Sequence, residues 1–411
     1  MADQDTYAIV GAGLAGGKAA EALREQGYAG RLVLIGSEPH LPYERPPLSK
    51  GYLIGSAERD SMVVHDQAWY DEQRVELLLG TEAVGIDRSG KRLSLSGGAE
   101  LAYDKLLLAT GASPRTLPLP GADSTGVYYL RSVEDSDRLR ELFGQTQRLV
   151  VIGAGWIGLE VTAAARAAGV AVTVIESAEL PLLRVLGPEV AEVFAQLHRE
   201  HEVDLRLSTQ LAEITTADGR ATGVRLADGS TIEADAVLIA VGVAPNAGLA
   251  EQAGLRIDNG IVVDQALRTD DPDIFAVGDV ANAFHPGYDR HIRVEHWANA
   301  LKQPKVAAAA MLGTDGSYDE LPYFYTDQYD LGMEYLGYVE PGGYDRVVFR
   351  GDKAAREFIA FWLNGGRVLA GMNVNVWDVT DPIKAIIRSG AVLDADRLAD
   401  PEQPLESFLN G

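Results

Sequence analysis

The feature that most constrains this chain is a motif that occurs twice. Gly11-Ala12-Gly13-Leu14-Ala15-Gly16 follows the apolar run Tyr7–Val10, and Gly153-Ala154-Gly155-Trp156-Ile157-Gly158 follows Leu149–Ile152. Each run suits a buried parallel strand. The Ala-rich stretches that come next, Lys18–Gln26 and Glu160–Ala168, predict helices stopping at Gly27 and Gly169. A further apolar strand follows each, Leu32–Ile35 or Val172–Ile175, and leads to an acid, Glu38 or Glu176, about 20 residues past the third glycine. In such a unit the first glycine permits a sharp strand-to-helix turn and the third lets helix and strand pack closely. The second lets the backbone approach a pyrophosphate, and the acid accepts hydrogen bonds from ribose hydroxyls. One glycine-rich turn is weak evidence, because such turns recur for structural reasons. Two copies in the same context predict two dinucleotide sites, with Gly11, Gly13, Gly16 and Glu38 in one and Gly153, Gly155, Gly158 and Glu176 in the other. The expected fold class is α/β, with two Rossmann-like dinucleotide-binding domains.

Composition removes many alternatives. With 411 residues the chain has room for two to four domains. It contains no cysteine, which excludes disulfides, thiolate metal sites, protein-ligated iron–sulfur clusters and any sulfur nucleophile or dithiol relay. No metal site is expected. A formal charge of −24 disfavours nucleic acid and anionic membrane as partners. No apolar stretch reaches the ~18 residues of a membrane span, and the acidic start Met1-Ala2-Asp3-Gln4-Asp5 is unlike an export signal, so a cytoplasmic location is expected.

Two more strands break at small-residue turns: Leu106–Leu108 into Ala109-Thr110-Gly111, and Ile274–Val277 into Gly278-Asp279. With these in place, nearly the whole chain resembles the two-dinucleotide flavoprotein reductases of the glutathione-reductase-like fold. The resemblance implies that the N-terminal unit holds FAD, that Thr110 and Gly111 close it, that Asp279 beside Gly278 bonds the ribitol, and that the second unit holds NADH. The run Pro42-Tyr43-Glu44-Arg45-Pro46-Pro47-Leu48-Ser49-Lys50, together with Gly155–Glu160, is similar to the NADH-dependent ferredoxin and rubredoxin reductases of bacterial oxygenase systems, whose architecture apoptosis-inducing factor shares. It implies that Arg45 and Pro46 border FAD and that Arg131 approaches the flavin. It also places Glu295, His296 and Trp297 at the flavin's pyrimidine edge and Arg184 near the NADH pyrophosphate. Lys50 and Glu160 would form the catalytic pair at the reactive nitrogen edge. From the residues themselves, Pro46-Pro47 favours an extended, stiff segment presenting Lys50.

The glycine and proline of Val241–Asn246 mark the return from an inserted domain and place Gly242 with the NADH residues. The expected boundaries are 1–112 and 245–320 for the FAD domain, 113–244 for the NADH domain and 321–411 for a small C-terminal α+β domain. Its hairpin signal is Asn364-Gly365-Gly366 between Phe358–Leu363 and Arg367–Val376. Phe324–Tyr329 resembles a family segment, but Tyr325 stands where oxygenase-type reductases commonly carry tryptophan.

Charge argues for NADH over NADPH, since a 2′-phosphate would meet Glu176 with Glu179 nearby. At about 4 Å the repulsion is on the order of 1–4 kcal/mol. Without cysteine, neither a dithiol nor a single redox thiol can relay electrons, so a one-electron acceptor outside the chain is the natural outlet. The expected partner is a ferredoxin supplying a monooxygenase or dioxygenase, docking on a basic patch from Arg290, Arg293, Lys302 and Lys305. The alternatives are a small organic acceptor (a quinone or radical) and a signalling role like that of apoptosis-inducing factor. Either a monomer or a homodimer is compatible with the sequence.

Overall fold

In the computed structural model the described residues are 5–314 and 316–409. They divide into two compact units. The first comprises the chain up to Arg45, Glu58–Ser113 and Val243–Pro322; the second comprises Pro46–Ala57, Pro114–Gly242 and the chain from Tyr323 onward.

The first unit is built on a five-stranded sheet in the order Ile274–Ala276, Lys105–Leu108, Thr6–Val10, Arg31–Gly36, Val75–Leu79, with every neighbouring pair parallel. Its strands are near-continuous apolar runs because both faces of such a sheet are covered; Ile9, Leu32, Leu34, Leu107 and Phe275 are fully buried. The helix Leu14–Glu25 leaves the first strand at the glycine turn and packs against the helix Trp297–Met311.

The second unit repeats the plan, in the order Asp204–Arg206, Ala171–Ile175, Arg148–Ile152, Ala236–Ile239, Val127–Tyr128, again all parallel. Its helix Trp156–Ala167 leaves the central strand at the second glycine turn. The same unit carries a five-stranded antiparallel sheet, ordered Tyr323–Gln328, Leu331–Gly337, Arg367–Val374, Glu357–Asn364, Arg346–Asp352. The hairpin expected at Asn364-Gly365-Gly366 is present, and both turn glycines have positive φ, at 56° and 78°. A two-residue turn of this hand matches the strand twist.

One local expectation is overturned. Pro46-Pro47 is not extended: Pro46–Ser49 forms a single 3-10 turn. Proline's fixed φ suits the start of a helical turn, and its missing N–H is no loss where that donor has no helical partner. The turn continues through Lys50 N–H to the Pro47 carbonyl (3.0 Å), so Lys50 is held by a closed loop.

Candidate functional site

The two glycine motifs divide their labour identically. A Cβ on Gly11 would lie 2.1 Å from the Ala109 carbonyl oxygen, and one on Gly16 would lie 1.9 Å from the Gly11 carbonyl oxygen. At Gly153 and Gly158 the corresponding distances are 2.4 Å to Ala240 O and 2.2 Å to Gly153 O. The first and third glycines are therefore required by packing. A Cβ on the middle glycines, Gly13 and Gly155, would meet nothing within 4 Å. Both are N-cap residues of helices that lack a side-chain cap, so the first-turn N–H groups of each helix face an open cradle. Backbone donors and the positive end of the helix dipole suit a pyrophosphate there. Both cradles fit a dinucleotide.

The acids at the second strand ends are held differently. Glu38 accepts from Arg45 Nη2 (2.6 Å) and Tyr43 Oη (2.6 Å), which ties the Tyr43–Arg45 segment to its own unit. Glu176 accepts from the Ala154 N–H (2.8 Å), the Ala178 N–H (2.9 Å) and Ser177 Oγ (3.1 Å), bridging the glycine turn to the strand end. A carboxylate has about four acceptor positions, so each can still take ribose hydroxyls.

In the first unit the other candidates form three small groups. Thr110 Oγ1 donates to the Asn246 carbonyl (2.8 Å) and Asn246 Nδ2 to the Thr110 carbonyl (2.9 Å), while the Asn246 N–H reaches Gly111 O (2.9 Å). Gly278 has φ +76° and donates its N–H to Gln303 Oε1 (2.7 Å). Arg293 ion-pairs with Glu295 (2.5 Å) and donates to the Asp279 carbonyl (3.2 Å). Trp297 Nε1 donates to Glu44 Oε2 (3.1 Å), and burial pushes His296 down to about 3, which leaves its ring neutral at pH 7. Arg293 leaves the expected docking patch: its side chain is 7% exposed and engaged inside the unit.

In the second unit Lys50 Nζ and Glu160 Oε2 form an ion pair at 2.8 Å, with side chains 14% and 5% exposed. Ser49 Oγ and Thr326 Oγ1 also donate to Glu160, each at 2.5 Å. Lys50 Nζ lies 5.4 Å from the centre of the Tyr325 ring. Pro46 opens the turn that carries Lys50, and Leu48 O in that turn accepts from Ser136 Oγ (2.8 Å) on the helix Val133–Phe143, which Arg131 precedes. Arg184 is exposed on the short helix Leu183–Leu186, whose end is fixed by the Trp362 indole donating to Leu186 O (3.0 Å). Gly242 has φ +94° and its carbonyl accepts from the Arg115 N–H (2.9 Å).

The pyridine nucleotide-disulphide oxidoreductase family matches residues 5–304, and the reductase C-terminal family matches residues 323–409. The chain belongs to the pyridine nucleotide-disulphide oxidoreductase family. It is 43% identical to the ferredoxin–NAD(+) reductase component of the anthranilate 1,2-dioxygenase system of Burkholderia cepacia, over 98% of this chain and 99% of that one. Against putidaredoxin reductase of Pseudomonas putida the identity is 39%, over 100% and 98%. Among solved structures, the ferredoxin reductase for the CYP199A2 system of Rhodopseudomonas palustris superposes with a TM-score of 0.94 at 38% identity, covering 98% of this chain and 99% of that chain. The family's name refers to disulphides, which this cysteine-free chain cannot form.

Sequence reasoning missed Ser49, Thr326, Asn246 and Gln303. Ser49 adjoins Lys50 and is visible in retrospect. Asn246 and Gln303 are polar residues that reach Thr110 and Gly278 from distant segments, and no local pattern marks them.

Proposed function

We propose that this protein is an NADH-dependent ferredoxin reductase, taking hydride from NADH onto FAD and delivering electrons singly to a small iron–sulfur protein that supplies a monooxygenase or dioxygenase. The observation that carries the reading is the pair of open cradles at Gly13 and Gly155 in a chain with no cysteine. Bound FAD supplies acceptance of an electron pair and release of single electrons. The remaining work belongs to the chain. Gly11, Gly13 and Gly16 with Glu38 hold the FAD adenosine end, and Arg45, Pro46, Thr110, Gly111, Arg131, Gly278 and Asp279 line the rest. Glu295, His296 and Trp297 orient the pyrimidine edge, where a neutral His296 adds no charge. Gly153, Gly155, Gly158, Arg184 and Gly242 seat NADH, and Glu176 repels a 2′-phosphate. Lys50, fixed by Glu160, would supply a positive charge to the bound flavin and so favour its negatively charged reduced form. In this reading the FAD domain spans 1–112 and 245–320, the NADH domain 113–244 and the C-terminal domain 321–411.

Among the described residues no helix is long and apolar enough to cross a membrane; a cytoplasmic location is part of the proposal. An acceptor screen tests the assignment: with NADH as donor, kcat/KM for a [2Fe–2S] ferredoxin from the same cell should exceed that for quinones by more than tenfold. Equal or better turnover of a small quinone would refute ferredoxin as the acceptor.

A further inference from the structure

The strand Tyr323–Gln328 alternates in the usual way, so Thr326 and Gln328 point to one face and Tyr325 and Asp327 to the other. Thr326 and Gln328 are both fully buried, and so is His198 on the helix Pro188–Glu200. Burying three polar side chains costs free energy unless each is hydrogen-bonded, and apolar residues of the same size would pack there at no such cost. They are all bonded, and in one continuous line. Tyr329 Oη lies 3.3 Å from His198 Nδ1, and His198 Nε2 lies 2.9 Å from Gln328 Oε1. Gln328 Nε2 donates to Thr326 Oγ1 at 3.2 Å, and Thr326 Oγ1 donates to Glu160 Oε1 at 2.5 Å. Glu160 Oε2 then meets Lys50.

The chemistry of each link allows one direction only. A carboxylate accepts, so Thr326 must donate to it; its remaining lone pairs receive the Gln328 amide. Gln328 then offers its carbonyl oxygen, which requires a proton on His198 Nε2. Burial pushes His198 down to about 4, so the ring is neutral, Nδ1 is an acceptor, and the Tyr329 hydroxyl donates to it. Every donor points toward Glu160, and bonds aligned in this way polarise one another. The far end is also fixed at some cost. Tyr329 has φ +56°, a conformation few side chains adopt, and its ring stacks on His201 with centroids 3.6 Å apart. An amide in the middle of the line cannot pass a proton along, so the line fixes geometry and field rather than conducting protons.

We propose that Thr326, Gln328 and His198 are positioning residues that hold the Glu160 carboxylate, and through it the Lys50 ammonium, in the orientation used during hydride acceptance. The inference rests on the reading of Lys50 and Glu160 given above. Four variants and one measurement on the unaltered protein test it, all with the FAD-loaded full chain. Thr326→Val keeps the shape and removes the hydroxyl; Thr326→Ser restores it. The expected result is a five- to twentyfold fall in the rate constant for NADH-driven flavin reduction at saturating NADH in T326V, with the apparent Kd for NADH within twofold, and recovery to within twofold of the parent in T326S. A parental rate in T326V alongside a large loss in K50M and E160Q would overturn the relay while leaving the Lys50–Glu160 reading intact. Parental rates in K50M and E160Q would instead overturn that reading, and the relay with it. Should T326V not fold, ¹⁵N NMR of the histidines in the parent decides. The Nε2–H tautomer of neutral His198 supports the relay, and the Nδ1–H tautomer overturns it.

Discussion

Replacing Gly155 by alanine separates a cofactor cradle from a merely structural turn. Gly155 has φ −82° and ψ −178°, a conformation open to any L-residue, and a Cβ there would touch no protein atom within 4 Å. The folded protein should be unharmed, and the stiffer unfolded chain should give a gain of about 0.4–1 kcal/mol. The methyl group would, however, occupy the space where a pyrophosphate must approach the first-turn N–H groups. Losing one hydrogen bond to a charged group costs about 1.5–3 kcal/mol. That corresponds to a roughly 10- to 150-fold rise in the Kd for NADH. Gly158→Ala is the contrasting control, since its Cβ would sit 2.2 Å from the Gly153 carbonyl oxygen. It should cost about 1–3 kcal/mol of stability or more. The saturation of the flavin-reduction rate with NADH concentration gives the apparent Kd, and urea unfolding gives the stability. A G155A protein that binds NADH within twofold of the parent would show that the open space is not the dinucleotide's seat.

Other expectations follow from the same geometry. Glu176→Gln removes the charge facing a 2′-phosphate, so kcat/KM for NADPH relative to NADH should rise at least about fivefold, the lower end of the 1–4 kcal/mol repulsion; steady-state kinetics with both coenzymes would read it. His198 sits below its unfolded value of 6.5, at about 4, so the unfolded chain binds the extra proton between those values. Stability is complete above about pH 6.5 and declines as pH falls toward 4, by on the order of 3 kcal/mol from this residue. Urea midpoints should show the decline, and His198→Phe should make it shallower, leaving the part that the more strongly depressed His296 contributes. If Arg290, Lys302 and Lys305 form the docking patch now that Arg293 is engaged with Glu295, ferredoxin reduction should slow steeply as salt is raised, and a flat response would discard the patch.

How much the sequence revealed depended on the range of the forces involved. The paired glycine motifs were legible because backbone sterics dictate them locally: the contacts at Gly11, Gly16, Gly153 and Gly158 leave no room for a side chain. The Gly365-Gly366 turn was legible for the same reason. Pro46-Pro47 was misread as extended because proline's φ suits both an extended segment and the first turn of a 3-10 helix, and only the closure onto Lys50 decides. Arg293 looked like a surface charge because its partner Glu295 lies on the same short segment, where pairing and exposure read alike. The line from Tyr329 to Glu160 joins three segments distant in sequence. Its only local trace is a polar pair at Thr326 and Gln328 on a buried strand face, with His198 amid the apolar residues of its helix.

In the proposed function, electrons pass from NADH to a one-electron carrier without any sulfur relay. Anaerobic stopped-flow absorbance follows this transfer, mixing the FAD-loaded protein first with NADH and then with oxidised [2Fe–2S] ferredoxin. Rapid bleaching of the flavin band should be followed by ferredoxin reduction at a rate that supports turnover. Bleaching that ferredoxin fails to reverse would contradict the proposed acceptor, and no bleaching by NADH would contradict the assignment of the two cradles.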